Sequence, residues 1–161
     1  MKKILLLAVF ALYAFTAQAD NPAPYKFTEA VIRETPAKTA AGYVTIENPT
    51  DENDGLIAAQ ASWATKIELH MVKESSDGIM QMAPVKQIPL VKRSSVSLKQ
   101  GGYHLMIFGI KEPLKLDDKK EITLRFSKAG AITVPFTIEP IGKGVQAKLM
   151  HDHLMMMGHK D

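Results

Sequence analysis

Apolar and polar positions alternate in short runs along most of the chain, and Gly, Pro, Asn and Asp interrupt them. The segment 42–48 (GYVTIEN) alternates cleanly and is rich in β-branched residues, which is the signature of a half-buried strand. Similar runs predict strands over 27–33, 56–61, 64–71, 87–91, 95–98, 103–110, 121–126 and 131–138. Segments 34–41, 49–55, 74–78, 99–102 and 111–120 read as loops or turns, and Lys128-Ala129-Gly130 as a tight turn. Ile79 to Pro84 leads out of the polar turn at 74–78. Many short strands with turn signals between them indicate an all-β sandwich or barrel. No helical period of 3.6 stands out before residue 140, and no internal repeat is visible. Pro135 lies inside the last strand, so that strand is expected to sit at an edge or carry a bulge there.

The first 19 residues break this pattern. Lys2 and Lys3 precede an apolar run from Ile4 to Phe15, and Ala17-Gln18-Ala19 offers small residues for cleavage. That is the layout of a secretory signal peptide. The run is short for a membrane span, which needs about 20 apolar residues. No cysteine follows it, which excludes a lipid-anchored version. The expectation is export to the periplasm, cleavage after Ala19, no stable membrane insertion afterwards, and one folded domain over 20–141.

Composition narrows the chemistry. The chain has 20 basic and 17 acidic residues, and losing Lys2 and Lys3 leaves a charge near +1. No basic stripe with interleaved aromatics is present, so there is no nucleic-acid footprint. Cysteine is absent. That excludes a blue-copper electron-transfer site, a thiolate-bridged copper pair and a thiol–disulfide oxidoreductase, all of which need thiols.

The candidate chemistry lies between His70 and Met106. His70, Met82, His104 and Met106 together supply two imidazoles and two thioethers. Thioether sulfur is a soft donor that suits Cu(I), and imidazole also suits copper. His104 and Met106 are two apart in an expected strand, so they share a face with α-carbons roughly 6.5 Å apart. In strict alternation Glu68 and His70 face away from Ile67 and Leu69, which puts His70 on the solvent side or at a rim. Bland readings compete: Met106 as ordinary core, His104 as a buried hydrogen-bonded histidine, His70 as a surface residue. Met80 and Met82 share a face, and either could be a core gap filler. Lone Trp63 is expected to pack rather than act.

The order His70-Met71, ten residues, Met82, 21 residues, His104, one residue, Met106 resembles the signature of the periplasmic copper chaperones of the PCuAC type. The likeness extends through AGYVTIEN (41–48), IELH (67–70), GIMQM (78–82) and GGYHLM (101–106), and covers about residues 25–138. It implies a cupredoxin-like Greek-key barrel binding one Cu(I) through His70, Met82, His104 and Met106. It also implies delivery toward the copper centre of a terminal oxidase. The acceptor would be an oxidase subunit or its assembly factor, with a thioredoxin-like copper protein as a conceivable companion. Met71 would face away from His70 and is at most a weak auxiliary.

The residues themselves suit a carrier rather than an enzyme, and a monomer is expected. Four protein ligands leave no open position for substrate, and no hydrolase triad, P-loop or dinucleotide fingerprint is present. Ligating histidines must be neutral, so loading is expected to weaken below about pH 6.5. After Ile141 the texture changes. Met150, His151, His153, Met155, Met156, Met157 and His159 crowd the end of a segment, 142–161, expected to be flexible. His-rich tracts of this kind are metal binding, and an auxiliary site for Cu(II) or Cu(I) is expected there. The main alternative to delivery is periplasmic copper storage or detoxification.

Overall fold

The computed structural model describes residues 23–34 and 39–140. The leader and the His/Met-rich segment 142–161 lie outside the described residues. The described residues form ten strands. They are β1 (Lys26–Glu34), β2 (Ala40–Asn48), β3 (Asp54–Gln60), β4 (Ala64–Glu74) and β5 (Met80–Pro84). The others are β6 (Ile88–Leu90), β7 (Ser94–Leu98), β8 (Tyr103–Ile110), β9 (Lys119–Phe126) and β10 (Gly130–Glu139). Among the described residues no helix is long and apolar enough to cross a membrane.

The strands close into a barrel. The hydrogen-bonded order runs β4-β8-β2-β1-β10-β9-β3, and β3 returns to β4 through the pair Ala59↔Ile67. β5 extends the sheet beside β4, β6 beside β3, and β7 pairs with β2. All ladders are antiparallel except β1–β10. Closure removes most free edges, which would otherwise invite pairing with other chains.

Alternation decides which side chains fill the barrel. Ile32, Ile46, Leu56, Ile88, Leu105, Ile107, Ile122, Leu124 and Phe136 have no exposed surface. In β10, Val134, Phe136 and Ile138 point inward at every second position. Burying one such side chain contributes roughly 1.5–3 kcal/mol, so the inward row is the main source of cohesion. Trp63 is buried, and its indole N–H donates to the Glu121 carbonyl at 2.9 Å. It packs, as expected.

β8 spans the residues its pattern predicts, and several other strands are longer than theirs. β4 continues to Glu74, and Met80–Pro84 is a full strand rather than a lead-out, because the two pair from His70↔Pro84 to Glu74↔Met80. Asp54 and Gly55, expected in a turn, belong to β3 because they pair with Leu90 and Pro89. Pro135 is opposite Glu121 in an unbroken β9–β10 ladder, and the β1 ladder begins only at Thr137. β10 lies between β1 and β9, so the expected edge strand is corrected; Pro135 is accommodated where the β1 side of β10 is locally unpaired, and no bulge interrupts the β9–β10 ladder.

Candidate metal centre

β4 and β8 carry most of the centre. Their ladder sets His70 opposite His104, Glu68 opposite Met106 and Lys66 opposite Phe108. The β4–β5 ladder sets Val72 opposite Met82 and His70 opposite Pro84. Cross-strand partners project from the same face of a sheet, and alternate residues share it. His70, Met82, His104 and Met106 therefore all stand on one face. Leu69, Leu105 and Ile107 fill the core from the other, so this is the outer face of the barrel. Met71 pairs with Tyr103 and Ala83 in the opposite set, away from His70.

The two imidazoles are close, with ring centroids 5.8 Å apart. The Phe108 ring lies 6.4 Å from that of His70 and takes the Lys66 ammonium over its face at 5.0 Å. These neighbours leave the His70 side chain 13% exposed and His104 4% exposed. His70 is on the outer face as expected, yet far from being a plain surface histidine. His104 is both buried and hydrogen-bonded, so the bland description of it is accurate, but it uses only one nitrogen.

Each ring commits one nitrogen to the protein. His104 Nδ1 lies 3.0 Å from the Gly102 carbonyl, an acceptor only, so Nδ1 carries the proton and Nε2 keeps a lone pair. The same carbonyl accepts the Val72 N–H at 3.2 Å, which fixes its position between β4 and β8. His70 Nε2 lies 3.0 Å from a Glu68 carboxylate oxygen. A carboxylate takes the proton-bearing nitrogen, which leaves Nδ1 with the lone pair. That Nδ1 is buried and has no hydrogen-bond partner. Lys66 Nζ sits 2.9 Å from the other Glu68 oxygen. Lys66, and then His70, hold the Glu68 carboxyl below its ordinary range. Carboxylate or carbonyl acceptors behind histidines are the arrangement that orients imidazoles for a metal.

The sulfur donors differ in setting. Met106 is half-buried between His104 and Phe108 along β8. Met82 is 62% exposed and Met80 58% exposed. The gap-filler explanation for Met80 and Met82 is therefore corrected: among the described residues β5 pairs with β4 alone, and both side chains are exposed. Among the described residues, His, Asp and Glu do not gather in groups of three that could hold a metal ion. Among the described residues a carboxylate cluster of the kind that holds a hard cation has no counterpart. Two lone-pair imidazole nitrogens with thioethers on the same face fit a soft ion such as Cu(I). The donors expected in 150–159 lie outside the described residues. Glu68, Lys66 and Gly102 were not singled out by sequence reasoning, although Glu68, two residues before His70 on an alternating strand, was open to discovery.

Residues 25–138 match the family model described as "Putative lipoprotein LpqE-like". The chain belongs to the LpqE-like family. Its relatives include "Putative lipoprotein Lxx21020" of Leifsonia xyli subsp. xyli, 25% identical over 124 residues, covering 76% of this chain and 72% of that protein. Among solved structures, the LpqE-like barrel resembles the copper-bound PCuAC domain from PmoF2, with a TM-score of 0.62 and 24% identity. That likeness covers 73% of this chain and 93% of the other. Apo-DR1885 from Deinococcus radiodurans is 27% identical, with a TM-score of 0.57 over 87% of this chain and 94% of its own. Its CuI form is 26% identical, with a TM-score of 0.56 over 80% and 85%. The LpqE-like domain thus has the cupredoxin-like all-β architecture of PCuAC domains.

Proposed function

We propose that this protein is an exported copper carrier, not an enzyme, and that it binds one Cu(I) through His70, Met82, His104 and Met106. The observation that carries the reading is the register that sets His70 against His104, with a buried, unpartnered Nδ1 on His70. Two neutral thioethers on the same face complete a soft donor set without adding charge. Such a set holds Cu(I) yet yields it to stronger ligands, as carriage requires. The copper-bound PmoF2 domain and the CuI form of DR1885 support copper as the cargo. The relatives described as lipoproteins support export, and the leader-like first 19 residues support the periplasm. Delivery to the copper centre of a terminal oxidase rests on the PCuAC resemblance alone. A second reading, copper storage or detoxification, is favoured by the seven further donors in 150–159.

The test is copper stoichiometry with X-ray absorption at the copper edge on three chains: the mature protein, Met82→Ala/Met106→Ala, and a deletion of 148–161. The expected result is Cu(I) with sulfur neighbours that disappear in the double variant, and a lower stoichiometry in the deletion. Tight copper binding that survives the double variant but vanishes with the deletion would sink the barrel site. Transfer of the bound copper to an apo oxidase-subunit domain separates delivery from storage.

A further inference from the structure

One donor on the copper face has no part in the four-ligand set. Met80 occupies β5 two residues before Met82, so both side chains project from the same face. It stands opposite Glu74, at the outer end of the β4–β5 ladder. The turn beneath it is well formed: Ser75 N–H donates to the Ile79 carbonyl at 2.9 Å, and Gly78 N–H to the Ser75 carbonyl at 3.0 Å. Gly78 takes a left-handed φ of 76°, which suits glycine. The hairpin therefore presents Met80 at a defined place. At 58% exposure the side chain contributes little to the core, and a large exposed apolar side chain at a sheet edge is a liability unless used.

The row of donors has a direction. Along the face the registers place Met106, then the His104–His70 pair, then Met82, then Met80; the histidines are almost covered, Met106 is half-buried, and Met82 and Met80 are both open to solvent. Same-face neighbours on a strand lie roughly 6.5–7 Å apart, a span that two unbranched, three-torsion methionine side chains bridge. We propose that Met80 is an exchange ligand for Cu(I), through which the ion enters and leaves the centre by the β5 side. This rests on the copper reading above and adds the route. On departure, the Met80 sulfur lone pair bonds to the ion and the Met82–copper bond breaks. A donor of the acceptor then binds at the exposed side, and the two imidazoles and Met106 let go last. The ion stays Cu(I) throughout, and no electron or proton is transferred. The advantage is that the ion need not lose a protein ligand before gaining a new one.

The test uses the full mature chain loaded with one equivalent of Cu(I) under reductant. An excess of the Cu(I) chelator bathocuproine disulfonate is added, and transfer is followed by absorbance in stopped flow. Wild type, Met80→Leu and Met82→Leu are compared; leucine keeps the volume, and all three chains share the donors in 150–159. Met80→Leu is expected to slow transfer by about tenfold, an added barrier of ~1.4 kcal/mol. Its equilibrium affinity should stay within about threefold of wild type, whereas Met82→Leu loses more than about tenfold. Transfer from Met80→Leu at the wild-type rate would overturn the proposal. So would a loss of affinity in Met80→Leu as large as in Met82→Leu, because Met80 would then be a resident ligand. Failure of the copper reading shows separately, as a wild-type protein that holds no Cu(I) through sulfur.

Discussion

Asp54 and the His70–His104 pair are both buried polar sites, and they differ in how completely their hydrogen-bonding capacity is used. Asp54, 8% exposed, accepts four hydrogen bonds: from the Tyr25 hydroxyl at 2.6 Å and from the N–H groups of Gly55, Lys128 and Ala129 at 2.7, 2.9 and 3.0 Å. It ties the start of β1, the start of β3 and the β9–β10 turn together. Asn48, wholly buried, is likewise engaged, donating to the Glu52 carbonyl at 2.8 Å and accepting from the Thr50 N–H at 3.1 Å. The two histidines each bind the protein through one nitrogen and keep the other. A buried polar atom without a partner costs about 1–3 kcal/mol, so His70 Nδ1 is a standing expense to the apo fold. A saturated site holds the structure together, and a half-saturated one is open to a ligand.

The largest expected effect breaks the saturated side. Asp54→Ala orphans the Tyr25 hydroxyl and three backbone donors at once. Each buried donor left without an acceptor costs about 1–3 kcal/mol. Urea unfolding of the apo protein should show a midpoint lowered accordingly, while Cu(I) affinity per folded molecule is unchanged. An unaltered midpoint would show that the Asp54 cluster is dispensable and would remove one half of the contrast.

The next effect falls on the half-saturated side. Glu68→Ala removes the acceptor that keeps the His70 proton on Nε2. Loss of such an outer partner lowers metal affinity by about 10–100-fold. Lys66 is exposed and Glu68 is half-buried at the surface, with side chains 57% and 35% accessible. Stability should therefore change by less than about 1 kcal/mol. Chelator competition measures the affinity, and imidazole nitrogen NMR shifts of the apo protein report the tautomer. If Glu68→Ala lowered stability and left affinity alone, Glu68 would be a structural anchor of the Asp54 kind, and the distinction between the two sites would collapse.

How much of this was legible in the sequence differs between the two sites for a physical reason. Strands follow local alternation, so β8 and the all-β class could be read directly, and the parity of His104 and Met106 came with them. Residue types also marked the four His and Met side chains that the fold sets on one face. Register between strands was not readable, because the pairing of His70 with His104 joins residues 34 positions apart and depends on the whole barrel closing. The exposure of Met80 and Met82 was hidden for the same reason: the pattern cannot say that β5 has a single neighbour. Asp54 gave no functional or structural signal beyond a turn, since its partners at 25, 128 and 129 meet only in the fold.

The smallest effect separates the sites by acid. Burial pushes the Asp54 carboxyl up, but the hydrogen bonds from Tyr25, Ala129, Gly55 and Lys128 outweigh it and hold the group below its ordinary range. A carboxyl depressed in the folded state stabilises the fold above its unfolded pKa of about 3.9, and that contribution is lost as pH falls through the lower folded value. Apo-protein stability should therefore stay level on this account from neutral pH down to about 5 and decline below about 4. Asp54→Asn, which keeps the shape but cannot titrate, should be less stable at neutral pH and show a shallower acid decline. Parallel slopes in the two proteins would mean that other carboxylates carry the acid transition. Glu68 is a poor candidate for that role: Lys66 and then His70 lower its pKa too, but Lys66 is exposed and solvent screens the pairing. The acid limit of the fold should thus track the saturated site, and the His70–His104 face can be altered by mutation without moving it.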